Sequence, residues 1–297
     1  MIDVHSWATP NGHKVHIMLE ECGLPYKVHA VDIGAGDQFS AEFLAISPNN
    51  KIPAIVDSDG PDGQPISLME SGAILLYLAS KTGRFLPEST RDKFAVMEWL
   101  MFQMGGVGPM LGQAHHFRIY APEKIDYAIN RYSNEARRLY SVMNGRLARS
   151  KYIAGPEYSI ADIAIFPWLR SWKNQGIDWN DHPHLKGWFD EVAARPAVQR
   201  GVQVLADRRK PITDDKARDV LFGARQYQRH GQRRGRHQER TAARSSSSPL
   251  GGRTTYVVGL GAFSHHAEPA RRPVHGRRAL RAAALLHVPA TRVKRAA

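Results

Sequence analysis

The stretch Ser6-Trp7-Ala8-Thr9-Pro10-Asn11-Gly12-His13-Lys14 decides how the first part of this chain folds. It follows a short, apolar-leaning start, and its Pro-Asn-Gly sequence has turn chemistry. Asn11 is a good N-cap residue, so we predict a strand, a tight turn and a helix over residues 12–21. The free N–H groups and partial positive charge of a helix N-terminus stabilise a thiolate. The stretch contains no cysteine, so a thiolate that works there must arrive with a substrate.

Composition narrows the class of protein. The length of 297 residues allows one large domain or two ordinary ones, and an apolar content of 42% supports a packed core. Cys22 is the single cysteine, which excludes an internal disulfide framework and fits a reducing compartment. The sequence has no secretory-signal pattern and no apolar stretch of membrane-spanning length. We therefore expect a cytoplasmic protein with no membrane partner.

The excess positive charge lies in the C-terminal part of the chain. Residues 229–297 contain 15 Lys and Arg against 2 Asp and Glu, which accounts for the whole net charge of +13. This part also contains a serine run at 245–248 and no sustained amphipathic period. We predict an Arg-rich, disordered tail over 229–297. We favour a non-functional extension over an arm that binds nucleic acid. The positive charge gives no reason to expect nucleic-acid binding by the folded body, because it lies in the tail.

The first 87 residues alternate strand-like and helix-like segments. Residues 26–32 alternate in strand fashion, and residues 52–57 form a strand opened by a proline. Residues 65–68 are its expected hairpin partner, and residues 73–81 have a helical pattern. The order βαβ–α–ββα predicts a small α/β layer with a mixed sheet.

From residue 91 the apolar residues recur at helical spacing, which predicts an all-helical domain over about residues 90–210. Gly105-Gly106 and then Gly108-Pro109 predict a break or a kink. Ser159 and Asp162 have the spacing of a capping-box variant, in which Asp162 faces back to Ser159 at a helix start.

Three segments of the chain resemble the hallmark segments of a known family. They occur in the same order and at the same spacings as in that family. Residues 1–225 thereby resemble the cytosolic glutathione transferases. The segments are Asn49-Asn50-Lys51-Ile52-Pro53-Ala54-Ile55, Glu70-Ser71-Gly72-Ala73-Ile74 and Tyr158-Ser159-Ile160-Ala161-Asp162. The resemblance implies a thioredoxin-like, glutathione-binding domain over residues 1–87 and a helical substrate and dimerisation domain over residues 90–210.

Further segments resemble the bacterial nu class of this family, the glutathione-dependent disulfide-bond oxidoreductases. They are Thr9-Pro10-Asn11-Gly12, Gly108-Pro109-Met110-Leu111-Gly112-Gln113 and His115-His116-Phe117. The class is also similar to a fungal nitrogen-regulation protein of the same fold, so the fold alone does not establish catalysis.

The resemblance implies partners for each part of glutathione. The bond from Ile52 to Pro53 is cis in the family, which frees the backbone of Ile52 to pair with the ligand's cysteine. Ser71 suits the γ-glutamyl carboxylate at a helix N-terminus, and Glu70 suits the ammonium group. By themselves these residues could equally be a strand-start proline, a helix cap and a first-turn acid.

Three more candidate glutathione-binding residues are implied only by the resemblance. Gln38 and Lys51 match positions that contact the glycine end of glutathione, and Arg131 matches a position that reaches glutathione from the partner subunit of a homodimer. Without the resemblance they would be a loop glutamine, a surface lysine and a solvated helix arginine.

Thr9 and Asn11 are the predicted catalytic residues, and Asn11 is also expected to bind glutathione. A hydroxyl and an amide N–H can donate to the glutathione sulfur and favour the thiolate over the thiol. That thiolate would attack a disulfide sulfur or an electrophilic carbon. Thr9-Pro10-Asn11 and the resemblance to the nu class favour reduction of small disulfides with glutathione as co-substrate, with conjugation possible and no metal required. A non-catalytic glutathione-binding or thiol-sensing module is the alternative.

Overall fold

A computed structural model describes residues 1–208 and 215–226 of the chain. The predicted tail over 229–297, its disorder and the nucleic-acid alternative all lie outside the described residues. The domain boundaries at residues 87, 90 and 210 stay predictions.

The N-terminal layer has the predicted order of elements and the predicted mixed sheet. In the described residues the sheet has four strands in the order β2-β1-β3-β4, with β1 parallel to β2 and antiparallel to β3. β3 and β4 pair antiparallel, as expected of a hairpin. The elements are β1 Ile2–Ser6, α1 Pro10–Cys22, β2 Tyr26–Ala30, α2 Ala41–Ile46, β3 Ala54–Asp57, β4 Ile66–Met69 and α3 Ser71–Thr82.

Alternation along β1 and burial of α1 build the core of this layer. Ile2 and Val4 are buried at alternate positions of β1, as expected for a strand with one face on the core. Every residue of α1 from Gly12 to Leu19 is buried, because α1 packs on α3 on one side and on helices of the second part on the other. α1 is thus an interior helix that presents its N-terminus at the edge of the sheet.

The second part of the described chain is all helical, as predicted. Its helices are α4 Thr90–Phe102, α5 Gly108–His115, α6 Asp126–Leu147, α7 Ile160–Leu169, α8 Trp172–Gln175, α9 Pro183–Ala193, α10 Pro196–Gln203 and α11 Asp215–Phe222. None of the helices in the described ranges is long and apolar enough to cross a membrane.

Of the break or kink predicted near Gly108-Pro109, the structure contradicts the break. The helical path continues from α4 through a π-helical stretch, Gln103–Val107, into α5. Pro109 lies in the first turn of α5, where a missing N–H and a fixed φ are tolerated. The wider π turn places Gln103 in the protein interior, where its side chain is fully buried.

The predicted capping box at the start of α7 is confirmed. The fully buried Asp162 accepts hydrogen bonds from Ser159 N and Ser159 Oγ, both 3.0 Å long. Its other oxygen accepts from Ile153 N at 3.0 Å and from Trp188 Nε1 at 2.8 Å. One carboxylate therefore joins a loop, the start of α7 and α9.

Candidate functional site

The turn before α1 differs from the prediction in its N-cap residue and therefore in where the helix begins. Thr9, and not Asn11, is the N-cap, and its Oγ1 accepts from Gly12 N at 3.2 Å. α1 therefore begins at Pro10 rather than at residue 12, because the fixed φ of proline suits the first helical position. The hydroxyl hydrogen of Thr9 is not used by this cap, so Thr9 keeps one donor.

Gly12 allows the turn to close tightly. A Cβ at this position would lie 2.1 Å from the carbonyl oxygen of Trp7. Only glycine fits such an approach, so the N-terminus of α1 lies directly against the end of β1.

The side chain of Asn11 has a fixed orientation. Trp168 of α7 donates from Nε1 to Asn11 Oδ1 at 3.0 Å. An indole can only donate, so the amide oxygen faces Trp168 and the amide NH₂ remains able to donate elsewhere. This contact joins the N-terminal layer to the helical part at the candidate catalytic residue.

A cleft of about 180 Å³ lies beside the N-terminus of α1. Five of the residues predicted for glutathione binding line it together, and five further residues complete the wall. The predicted residues are Asn11, Lys51, Ile52, Glu70 and Ser71, and the others are Ser47, Asn49, Pro53, Met69 and Met104.

The loop before β3 supplies one wall of the cleft. The Ile52–Pro53 peptide bond is cis, as the resemblance implied. Ser47 is fully buried and donates from Oγ to the carbonyl of Lys51 at 2.8 Å, which fixes the loop just before the proline. Lys51 itself reaches Gln226, whose Oε1 lies 3.0 Å from its ammonium nitrogen.

The start of α3 supplies the opposite wall. Ser71 is the first residue of α3, where backbone N–H groups are free to bind an anion. Glu70 has a φ of +69°, a conformation that L-residues rarely adopt, so the surrounding structure must hold it there. Asn49 donates from Nδ2 to Glu70 Oε1 at 3.4 Å. An acid and an anion-binding helix start thus lie side by side.

The structure does not bring all the predicted residues to the cleft. Thr9 and Gln38 are not among the lining residues. Gln38 is 3% exposed and donates from Nε2 to the carbonyl of Ile33 at 3.2 Å. Arg131 lies on α6 and lines a separate groove with Tyr127 and other residues of that helix.

Sequence reasoning missed Lys14, which lies just behind the wall of the cleft. Its side chain is 1% exposed, and its Nζ lies 3.2 Å from Ser71 Oγ, 2.6 Å from Gln103 Oε1 and 3.4 Å from Met104 Sδ. Burial lowers the pKa of Lys14 to about 7, against a smaller opposing effect of Glu70. The signal available in the sequence was a lysine that comes directly before the apolar positions of α1 at residues 15 and 17–19.

No group of three or more His, Cys, Asp or Glu side chains that could hold a metal exists within residues 1–208 and 215–226. The N-terminus of α1 and the amide NH₂ of Asn11 offer hydrogen-bond donors beside the cleft. A thioredoxin-like sheet, a cis-proline loop and a helix start without cysteine define a class of protein that binds a small thiol rather than carrying one.

Comparison with known proteins agrees with this class. Residues 8–81 match the glutathione S-transferase N-terminal domain, and residues 108–196 match the glutathione S-transferase C-terminal domain. The chain is 55% identical over 199 residues to the disulfide-bond oxidoreductase YfcG of Escherichia coli (strain K12), which covers 67% of this chain and 93% of YfcG. The chain belongs to the glutathione S-transferase family, which confirms the resemblance and the fold class.

Two solved structures of the family are also similar. One is a glutathione transferase family member from Pseudomonas fluorescens pf-5 with two glutathione bound, with 47% identity, a TM-score of 0.65 and coverage of 68% of this chain and 92% of that chain. The other is a glutathione transferase from Pseudomonas putida with one glutathione disulfide bound per subunit, with 44% identity, a TM-score of 0.66 and coverage of 68% and 91%.

Proposed function

We propose that this protein reduces small disulfides with glutathione as the source of the thiolate. The observation that carries the proposal is the orientation of Asn11 by Trp168, which leaves an amide donor at a cysteine-free helix N-terminus beside the cleft. Ser71 and Glu70 would bind the carboxylate and the ammonium group of the γ-glutamyl end, and the backbone of Ile52 would pair with the cysteine. Lys51 would hold the glycine end, whereas Gln38 is buried, donates to the carbonyl of Ile33 and does not line the cleft.

The reaction needs two glutathione molecules. The thiolate of the first attacks one sulfur of the disulfide, the S–S bond breaks, and the other sulfur leaves as a thiolate that takes up a proton. A second glutathione thiolate then attacks the mixed disulfide and releases the second thiol together with glutathione disulfide. The relatives with two glutathione molecules or one glutathione disulfide bound are consistent with this stoichiometry.

We also propose a homodimer in the cytoplasm. Large apolar side chains are exposed on α4 and at the start of α6, at Phe94, Met101 and Tyr127, and a second copy would cover them. Arg131 lies four residues after Tyr127, so a partner's Arg131 would approach from this face. Sedimentation at micromolar concentration tests the dimer, because a monomer would have the mass of one chain, 33.2 kDa.

The proposed location in the cytoplasm is supported by Cys22, which is single and unpaired and so fits a reducing compartment.

The activity is tested by two assays on the full chain. We expect rapid glutathione-dependent reduction of hydroxyethyl disulfide and slow conjugation of a chloronitrobenzene, because the chain is similar to disulfide-bond oxidoreductases. Fast conjugation with slow reduction would make the protein a conjugating transferase. If the protein binds glutathione but shows no activity in either assay, it is the non-catalytic binding or thiol-sensing module.

A further inference from the structure

The ammonium group of Lys14 is buried, and among residues 1–208 and 215–226 it has no anionic hydrogen-bonding partner. The three hydrogen-bonding contacts that the described residues provide are uncharged: Ser71 Oγ, Gln103 Oε1 and Met104 Sδ. A buried charge is costly unless an opposite charge compensates it. The described residues therefore give the protonated form of Lys14 no hydrogen-bonded counter-charge.

Two of the three contacts also line the cleft. Ser71 and Met104 are wall residues, so each of them contacts Lys14 Nζ and also lines the space where a ligand would lie. Ser71 Oγ accepts from Lys14, and its own hydrogen has only a weak contact of 3.7 Å with Met104 Sδ. That hydrogen is free to turn toward an anion in the cleft.

We propose that Lys14 is the counter-charge of the γ-glutamyl carboxylate of glutathione, an inference that rests on the function proposed above. It acts through Ser71 as a positioning residue, and binding of the carboxylate draws a proton onto Lys14. Ser71 would then accept from the ammonium group and donate to the carboxylate, so that one hydroxyl joins the two charges.

The other charged groups around Lys14 do not already supply this compensation. Glu70, at the start of α3, is the carboxylate among the described residues whose field acts on Lys14, and its effect is smaller than that of burial. The stretch 103–107 contributes uncharged side chains. The charged residues of α7 and α10 have partners elsewhere, Asp162 with Ser159 and Arg200 with Glu20.

The sign of the pH dependence follows from burial. In the free protein a pKa of about 7 leaves part of Lys14 neutral above neutral pH. A carboxylate nearby favours the charged form and raises that pKa, so binding takes up protons above neutrality and is favoured at lower pH. The dissociation constant should be flat below this pKa and rise above it, by at most about tenfold per pH unit.

The test is calorimetric titration of the full chain with S-methylglutathione, whose blocked sulfur has no proton to release. Repeating the titration at about pH 7.5 in buffers of different ionisation enthalpy gives the number of protons taken up. We expect a fractional uptake in the wild type, none in Lys14→Met, and an unchanged uptake in the control Lys186→Met, whose ammonium group pairs with Asp190 on α9.

If Lys14→Met does not fold, a second ligand tests the proposal on the wild type alone. The wild type is titrated with the S-methylated 4-aminobutyryl-cysteinylglycine, which lacks only the γ-glutamyl carboxylate, and we expect no proton uptake. Binding of S-methylglutathione without proton uptake, or equal uptake with both ligands, would overturn the role of Lys14 alone. No binding of S-methylglutathione would overturn the proposed function, and this inference with it.

Discussion

Replacing Asn11 with alanine is expected to lower the turnover number for disulfide reduction roughly tenfold to a hundredfold, the usual value of a hydrogen bond to a charged group. The amide NH₂ of Asn11 is free to donate to the sulfur because Trp168 holds the amide oxygen. Affinity for glutathione should change less, since Glu70, Ser71 and Ile52 line the same cleft and are proposed to bind other parts of the ligand. Steady-state kinetics at saturating glutathione, with a separate binding titration, measure both quantities.

Thr9 is examined in the same assay. Thr9→Val should also lower turnover, and it should cost about 1 kcal/mol of stability because Gly12 N loses its capping acceptor. Thr9→Ser keeps both the cap and the donor and is the matched control. Unchanged turnover in both Asn11→Ala and Thr9→Val would refute the assignment of these residues as catalytic.

The second large effect concerns stability. Asp162→Ala should lower the free energy of unfolding by roughly 3 to 5 kcal/mol, because it leaves several buried donors without an acceptor. Those donors are Ser159 N, Ser159 Oγ, Ile153 N and Trp188 Nε1. Urea unfolding, followed by the shift in midpoint at constant m-value, measures this loss.

Asp190→Ala is the control for this prediction. Asp190 is an exposed residue of α9 that pairs with Lys186 at 2.6 Å, and such surface pairs contribute less than about 1 kcal/mol. A loss for Asp162→Ala no greater than that for Asp190→Ala would contradict the role given to the buried carboxylate.

Much of the fold could be predicted because local patterns determine it. The alternation in β2, the hairpin of β3 and β4 and the Ser159–Asp162 box each depend on residues close in sequence. The start of α1 was harder, because Thr9 and Asn11 are both good cap formers and the difference depends on the φ of Pro10. The π-helical stretch Gln103–Val107 has no pattern that separates it from a break.

The site could be predicted only where the family's segments mark it. The cis bond before Pro53 and the pairing of Glu70 with Ser71 came from the resemblance, and the cleft contains these residues. The contact of Trp168 with Asn11 joins residues 157 positions apart, so no local sequence pattern predicts it. Lys14 was missed because a helical pattern shows which positions are buried but not where a buried ammonium group points.

The most direct test of the central claim is an ultraviolet titration of the thiolate of glutathione bound to the full chain. We expect the pKa of the bound thiol to lie clearly below the ordinary thiol value of about 8.5, because Thr9, Asn11 and the N-terminus of α1 favour the charged sulfur. The same titration with Asn11→Ala should give a pKa closer to that ordinary value. A bound thiol that titrates at the free value in the wild type would contradict the claim that this helix N-terminus activates glutathione.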